Sequence, residues 1–233
     1  MTYPSAPAEA VDLVAIEGQD VGTLGEWADL PAIEAHAPLV EPRADLEAAR
    51  FAGLGWMRGT SGNLSIVLGR DPLRLAVTVS GIDKGDIGPG DVVVVDEHGA
   101  AIDPDGPRPS AEAAFHARVA QRCGADAVVH VHTVAAVAAG ARHPGGVEFE
   151  GLEMLKGIGR GASGDRVRIP VIANSQDMVE LGDRFDADRE PRTPAIVVAD
   201  HGLYAWGHTP LQARHHTEIV EWLLELLVVT PEP

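Results

Sequence analysis

Apolar residues along this chain come in short bursts separated by turns rich in glycine and proline, and only the C-terminal end carries a long helical stripe. Leu46, Ala49, Gly53 and Leu54 recur at helical spacing, which predicts a first helix over 43–56. Gly59-Thr60-Ser61-Gly62-Asn63 must then turn the chain. Strands are expected at 64–68, 75–79 and 92–96, and a loop at 104–109. Ser110, cap-like and with an acid close behind it, opens a helix that runs to about Cys123. The run 127–132 reads as a strand followed by a short alanine-rich helix. Strands over 167–172 and 194–199, and a shorter one at 203–206, precede a closing amphipathic helix. That helix spans 211–228, with Ile219, Leu223, Leu226 and Leu227 on its apolar side. Early strands are joined by turns too short for helical crossovers. The expected fold is therefore α/β: a three-layer α/β/α sandwich around a mixed, mostly antiparallel central sheet.

One strand carries chemistry. In Val128-Val129-His130-Val131-His132 the two histidines stand two residues apart, so both imidazoles leave the same face of the strand. His201 follows a further apolar run, where a strand ends. Three histidines from two strand ends point to a catalytic metal site that keeps an open position. The remaining histidines have no comparable spacing, and His215 and His216 read as a solvated or interface face of the last helix.

Composition narrows the setting. A chain of 233 residues predicts one catalytic domain, 41–233, behind an acidic N-terminal extension, 1–40, expected to be poorly ordered. No apolar run is long enough to cross a bilayer, and no basic-then-apolar start reads as a secretory signal. The single cysteine, Cys123, excludes an internal disulfide and a cysteine-based zinc site. Together these features predict a cytoplasmic protein without a membrane partner. Net charge is -17, and residues 1–42 hold eight acids and no Lys or Arg. Such a balance argues against nucleic acid as a partner. A phosphate ester would have to be held locally, by backbone N–H groups or a few aimed side chains.

Three turns could do so: 59–65, Ser80-Gly81-Ile82-Asp83-Lys84-Gly85, and the helix start at Ser110. Each is a weak signal alone, and the first lacks the Gly-Lys-Ser/Thr ending of a Walker loop. Two carboxylates deserve weighing. Glu112 begins a helix, where an acid often serves only the dipole. Glu153 by itself reads as an ordinary helix-surface acid.

Taken together, Thr60-Ser61-Gly62-Asn63-Leu64-Ser65, Val77-Thr78-Val79-Ser80-Gly81 with Asp83-Lys84-Gly85, Pro109-Ser110-Ala111-Glu112, His130-Val131-His132-Thr133, Glu153-Met154-Leu155-Lys156-Gly157 and His201-Gly202-Leu203-Tyr204-Ala205-Trp206-Gly207 resemble the class II, zinc-dependent aldolase and adducin superfamily, in its order, over about 43–229. The last two segments point to a dehydratase branch. The resemblance implies one Zn2+ per subunit on His130, His132 and His201, and a homotetramer with sites near subunit interfaces. It implies substrate and phosphate binding by Gly62, Asn63, Ser80, Gly81 and Ser110. It gives Glu153 an acid/base role and sets Glu112 beside the metal. The expected reaction is loss of water from a phosphorylated ketose bearing a methylthio group, without a redox cofactor. The alternative on the same scaffold is retro-aldol cleavage of a ketose 1-phosphate to dihydroxyacetone phosphate and an aldehyde. A non-catalytic, adducin-like role is disfavoured because all three histidines are present.

Overall fold

The computed structural model describes residues 44–230, so the extension expected at 1–40 lies outside the described residues. After helix α1 (Ala44–Gly53), strands β1 (Asn63–Arg70), β2 (Leu73–Thr78) and β3 (Val92–Val95) form an antiparallel meander. Helix α2 (Ala113–Cys123) leads to β4 (Ala127–Val131) and α3 (Val134–Arg142). A hairpin-like pair, β5 (Val147–Glu150) and β6 (Arg166–Ile169), flanks a 3-10 turn at Glu153–Ile158. Then come β7 (Val171–Ile172), α4 (Met178–Asp188), β8 (Ala195–Val198), β9 (Gly202–Gly207) and the long α5 (Pro210–Val229).

The main sheet runs β3-β2-β1-β4-β9-β8-β7, antiparallel except for the β7–β8 pair. The expected three layers are present, because β4 is buried on both faces. Ala127, Val129 and Val131 pack in one cluster with α3 and α5, whereas Val128 faces Phe115, Val119 and Phe185 of α2 and α4. A strand covered on both sides has no need of polar alternation, which is why it reads as a continuous apolar run. His130 interrupts that run on the α2 face.

Several boundaries differ from the sequence expectation. The strand expected over 167–172 is split at Pro170, which has no N–H to give a ladder. Residues before it pair with β5 in a separate two-stranded sheet, and those after it join the main sheet. Helix α2 starts at Ala113 rather than Ser110. Ser110 Oγ accepts from Glu112 N at 3.3 Å in a turn, and Glu112 takes the cap position without capping. Helix α4 was not expected at all; Asp177 caps it, accepting from Val179 N and Glu180 N. On α5 the covered face is Ala213, His216, Thr217, Val220, Glu221, Leu223 and Leu224, so His216 is buried and not solvated. Its Nδ1 lies 2.6 Å from the carbonyl of Trp206, a backbone partner that periodicity could not reveal.

Candidate metal centre

His130 sits near the C-terminal end of β4, between Asn63 on β1 and Tyr204 on β9. His132 follows as the strand ends, its N–H donating to Trp56 O at 2.9 Å. Thr133 then caps α3 by accepting from Ala136 N, so the chain turns away directly after the second histidine. His201 lies in the tight link between β8 and β9. Its predecessor Asp200 has φ 57, a left-handed conformation uncommon for a residue with a side chain. Gly202, next in line, has to be glycine. A Cβ there would stand 2.3 Å from Val131 O, where β9 presses against β4 beside His130.

These elements bring four side chains together. One ligand atom each from Glu112, His130, His132 and His201 lies within 4.8 Å of the others. His130 Nδ1 is 3.1 Å from Leu203 O, an acceptor only, so the ring keeps its proton there and turns the Nε2 lone pair inward. That Nε2 lies 2.8 Å from His132 Nε2 and 3.5 Å from Glu112 Oε2. His201 Nε2 is 3.0 Å from Glu112 Oε1. Burial pushes the His130 imidazole down to about 3, against the pull of Glu112, so the ring is neutral at ordinary pH. His132 is lowered too, by burial and then by His201. Burial would raise Glu112, but the adjoining His130 and the hydrogen bonds from His201 and Asn63 outweigh it and hold the carboxyl well below the usual range. Three inward-facing imidazoles and one carboxylate form a donor set suited to a divalent metal ion.

The surroundings hold residues that sequence reasoning passed over. The Tyr204 ring stacks on His130, with centroids 3.9 Å apart and planes at 12°. Its hydroxyl is buried without a hydrogen-bond partner among the described residues. Burial, then the charge of Glu112, hold that hydroxyl protonated. Behind it His116, fully buried, lies 2.8 Å from Ser65 Oγ through Nδ1. Neither residue has a local spacing signal; both are found only by knowing that β4 pairs with β1 and β9.

The three anion-type turns are neighbours. Ser80 N donates to Arg108 O at 3.0 Å, and Val79 bridges Pro109, which ties the Ser80-Gly81 turn to the Ser110 loop. Gly62 adopts φ 71, and a Cβ there would meet Met57 Cγ at 2.6 Å and His130 O at 2.9 Å. It therefore sets the first turn against the histidine strand. Asn63 Nδ2 donates to Glu112 Oε2, leaving its own Oδ1 buried and without a partner among the described residues. Glu153 stands apart. It lies on the 3-10 turn, its side chain 79% exposed and ion-paired with Lys156, outside the four-residue cluster. A cavity of about 700 Å3 opens between the end of α2 and the start of α5, lined by Arg122, Arg189, Arg192 and His208 among others; none of the four clustered side chains lines it.

Comparisons with known proteins agree with this geometry. Residues 47–228 match the class II aldolase and adducin N-terminal domain. The chain is 35% identical over 175 residues to the methylthioribulose-1-phosphate dehydratase of Sulfurihydrogenibium sp. strain YO3AOP1, covering 74% of this chain and 81% of that protein. It is 38% identical over 187 residues to the dehydratase of the same name from Marinobacter nauticus, covering 77% and 88%. Among solved structures it is similar to an L-fuculose 1-phosphate aldolase, with a TM-score of 0.66, 24% identity, and coverage of 83% of this chain and 86% of that one. That last likeness speaks for the fold alone.

Proposed function

The chain belongs to the class II aldolase and adducin family, and we propose that it dehydrates 5-methylthioribulose 1-phosphate to 2,3-diketo-5-methylthiopentyl 1-phosphate, a step of methionine salvage. The observation that carries this reading is the convergence of Glu112, His130, His132 and His201 in a chain whose relatives of that name match over most of their length.

His130, His132 and His201 would hold a zinc ion, which three neutral imidazoles suit better than they suit magnesium or calcium. When bound, zinc supplies a Lewis acid toward the ketose C2 carbonyl, acidifying the C3 proton. Glu112 stays ionised and, held by Asn63 and His201, completes the polar wall of the site. Gly62, Asn63, Ser80, Gly81 and Ser110 bind the phosphate end of the substrate. Glu153 takes the C3 proton, and the C4 hydroxyl departs as water with a proton delivered by an acid group. The resulting enol becomes the 2,3-diketone. One water leaves and no electrons enter or leave in net, so the reaction needs no redox cofactor. Glu153 lies outside the four-residue metal-ligand cluster, and the sites stand near the subunit interfaces of a homotetramer working in the cytoplasm.

The test is to incubate the zinc-loaded protein with 5-methylthioribulose 1-phosphate and resolve the products by mass. A product lighter by one water is expected. Dihydroxyacetone phosphate with a thioether aldehyde would assign the aldolase reaction instead, and unchanged substrate would overturn both.

A further inference from the structure

Lys84 is 1% exposed, which makes it one of the largest fully buried side chains among the described residues, and it carries a charge. Its Nζ donates to Ile82 O at 2.8 Å and reaches Thr60 O at a long 3.4 Å. An ammonium has three N–H donors, and here one bond is good, one is marginal and one is unmade. Among the described residues no carboxylate lies within ion-pair distance of it; the neighbouring Asp83 turns its Oδ1 to Gly85 N instead. Burial pulls the Lys84 pKa down, with Asp83 opposing. A buried charge without a counter-ion is costly, and proteins rarely retain one without a use.

Its position suggests the use. Thr60 belongs to the 59–63 turn and Ile82 to the 80–85 turn, and the latter is tied in its turn to the Ser110 loop through Ser80 N and Arg108 O. All three turns are those assigned above to the phosphate. The 80–85 turn is itself anchored, since Ile82 and Ile87 pack on the core cluster containing Ala48 and Phe51 of α1. The chain has only one other lysine, Lys156, which is exposed and ion-paired to Glu153. In a protein of net charge -17, a phosphate dianion needs a local positive charge.

We propose that Lys84 is a positioning residue of the phosphate subsite: it clamps the 59–63 and 80–85 turns together, and its unpaired charge is the fixed counter-charge for the phosphate of a phosphorylated substrate. This rests on the phosphate assignment of those turns. It also accounts for a buried ammonium in a part of the molecule that hydrophobic packing alone would fill with a methionine or leucine.

The experiment uses inorganic phosphate as the probe. Having only two lysines, the protein labelled at the lysine ε-position gives two NMR signals, with Lys156 as the internal reference. Titrating phosphate into the metal-loaded protein is expected to move the Lys84 signal in a saturable manner while raising the melting midpoint. Lys84→Gln, which keeps a neutral donor, and Lys84→Met, which keeps the volume, are both expected to weaken phosphate binding at least tenfold. In the variants KM for the phosphorylated ketose is expected to rise far more than kcat falls, with zinc content preserved. A Lys84 signal that stays still while phosphate stabilises the protein would overturn the inference and leave the phosphate site standing elsewhere. So would a folded variant that binds phosphate within twofold of the parent. If phosphate neither shifts a signal nor raises the melting midpoint, the phosphate assignment of the turns fails, and the role of Lys84 fails with it.

Discussion

Burial pushes the Glu221 carboxyl up to about 7, against a hydrogen bond from Thr133 Oγ1 at 2.6 Å and with a further push from Glu225. Unfolded, this group titrates near 4.5. Between the two values the folded state binds more protons than the unfolded chain, so stability falls as pH rises through that window, by on the order of 3 kcal/mol in all. Glu221→Gln keeps an acceptor for Thr133 and cannot ionise. It is expected to be more stable than the parent at about pH 8 and to lose the advantage near pH 4.5. Urea melts of both proteins at the two pH values measure this; equal differences at both would show that Glu221 does not titrate in the window. His116 acts in the opposite sense, since burial pulls it from 6.5 to about 4 and its contribution is lost as pH falls. Comparing two proteins that share His116 removes it. At this scale the legible residues were those whose signal is local. His130 and His132 point the same way because they are two apart in extended chain, one on β4 and one just past its end, whatever the strand packs against. The burial of Glu221 was illegible because an acid on an amphipathic helix reads as solvated until α3 is known to bring Thr133 against it.

The closing helix shows the same division one level up. Its N-terminus is written locally: Thr209 Oγ1 accepts from Gln212 N at 3.1 Å and Pro210 stands at the first turn. Thr209→Ala is expected to cost about 1 kcal/mol, read as a lower denaturation midpoint with an unchanged slope. A larger loss would mean that the threonine does more than cap. The extent of α5 and the participation of Leu223 in the core were predictable from period; the inclusion of His216 and Glu221 in its buried face was not, because each is satisfied by a partner from another element, whereas Thr217 donates to Ala213 O one turn back on the same helix. Helix α4 went unseen for a related reason. Its apolar content is small, with Leu181 and Phe185 as its buried large side chains; of its outer positions Asp183 and Asp186 pair with Arg118 of α2, and Arg184 pairs with Glu180 of the same helix. The strand expected over 167–172 went to two sheets because one proline decides where a ladder stops, not which neighbour each half finds.

For the whole molecule, the exposed position of Glu153 makes a prediction about assembly. If the acid/base group of one copy serves the histidine cluster of another, His132→Ala and Glu153→Gln proteins, each inactive alone, are expected to regain activity when unfolded and reassembled together. Size-exclusion of the mixture checks that tetramers form, and mixed tetramers without activity would return Glu153 to its own chain or remove it from the reaction. The early run of antiparallel strands, the mixed and mostly antiparallel sheet and the pair of histidines on one face were determined by the sequence itself, because each depends on spacing and turn chemistry within a few residues. The meeting of those histidines with His201, Glu112 and Asn63 was decided only by the tertiary structure. It depends on the order β1-β4-β9 and on the α2 cap lying over that strand end, pairings between segments far apart in the chain. The buried charge of Lys84 was decided there too. A lysine in a glycine-rich turn reads as exposed, and only the closing of two turns over its ammonium group removes it from water.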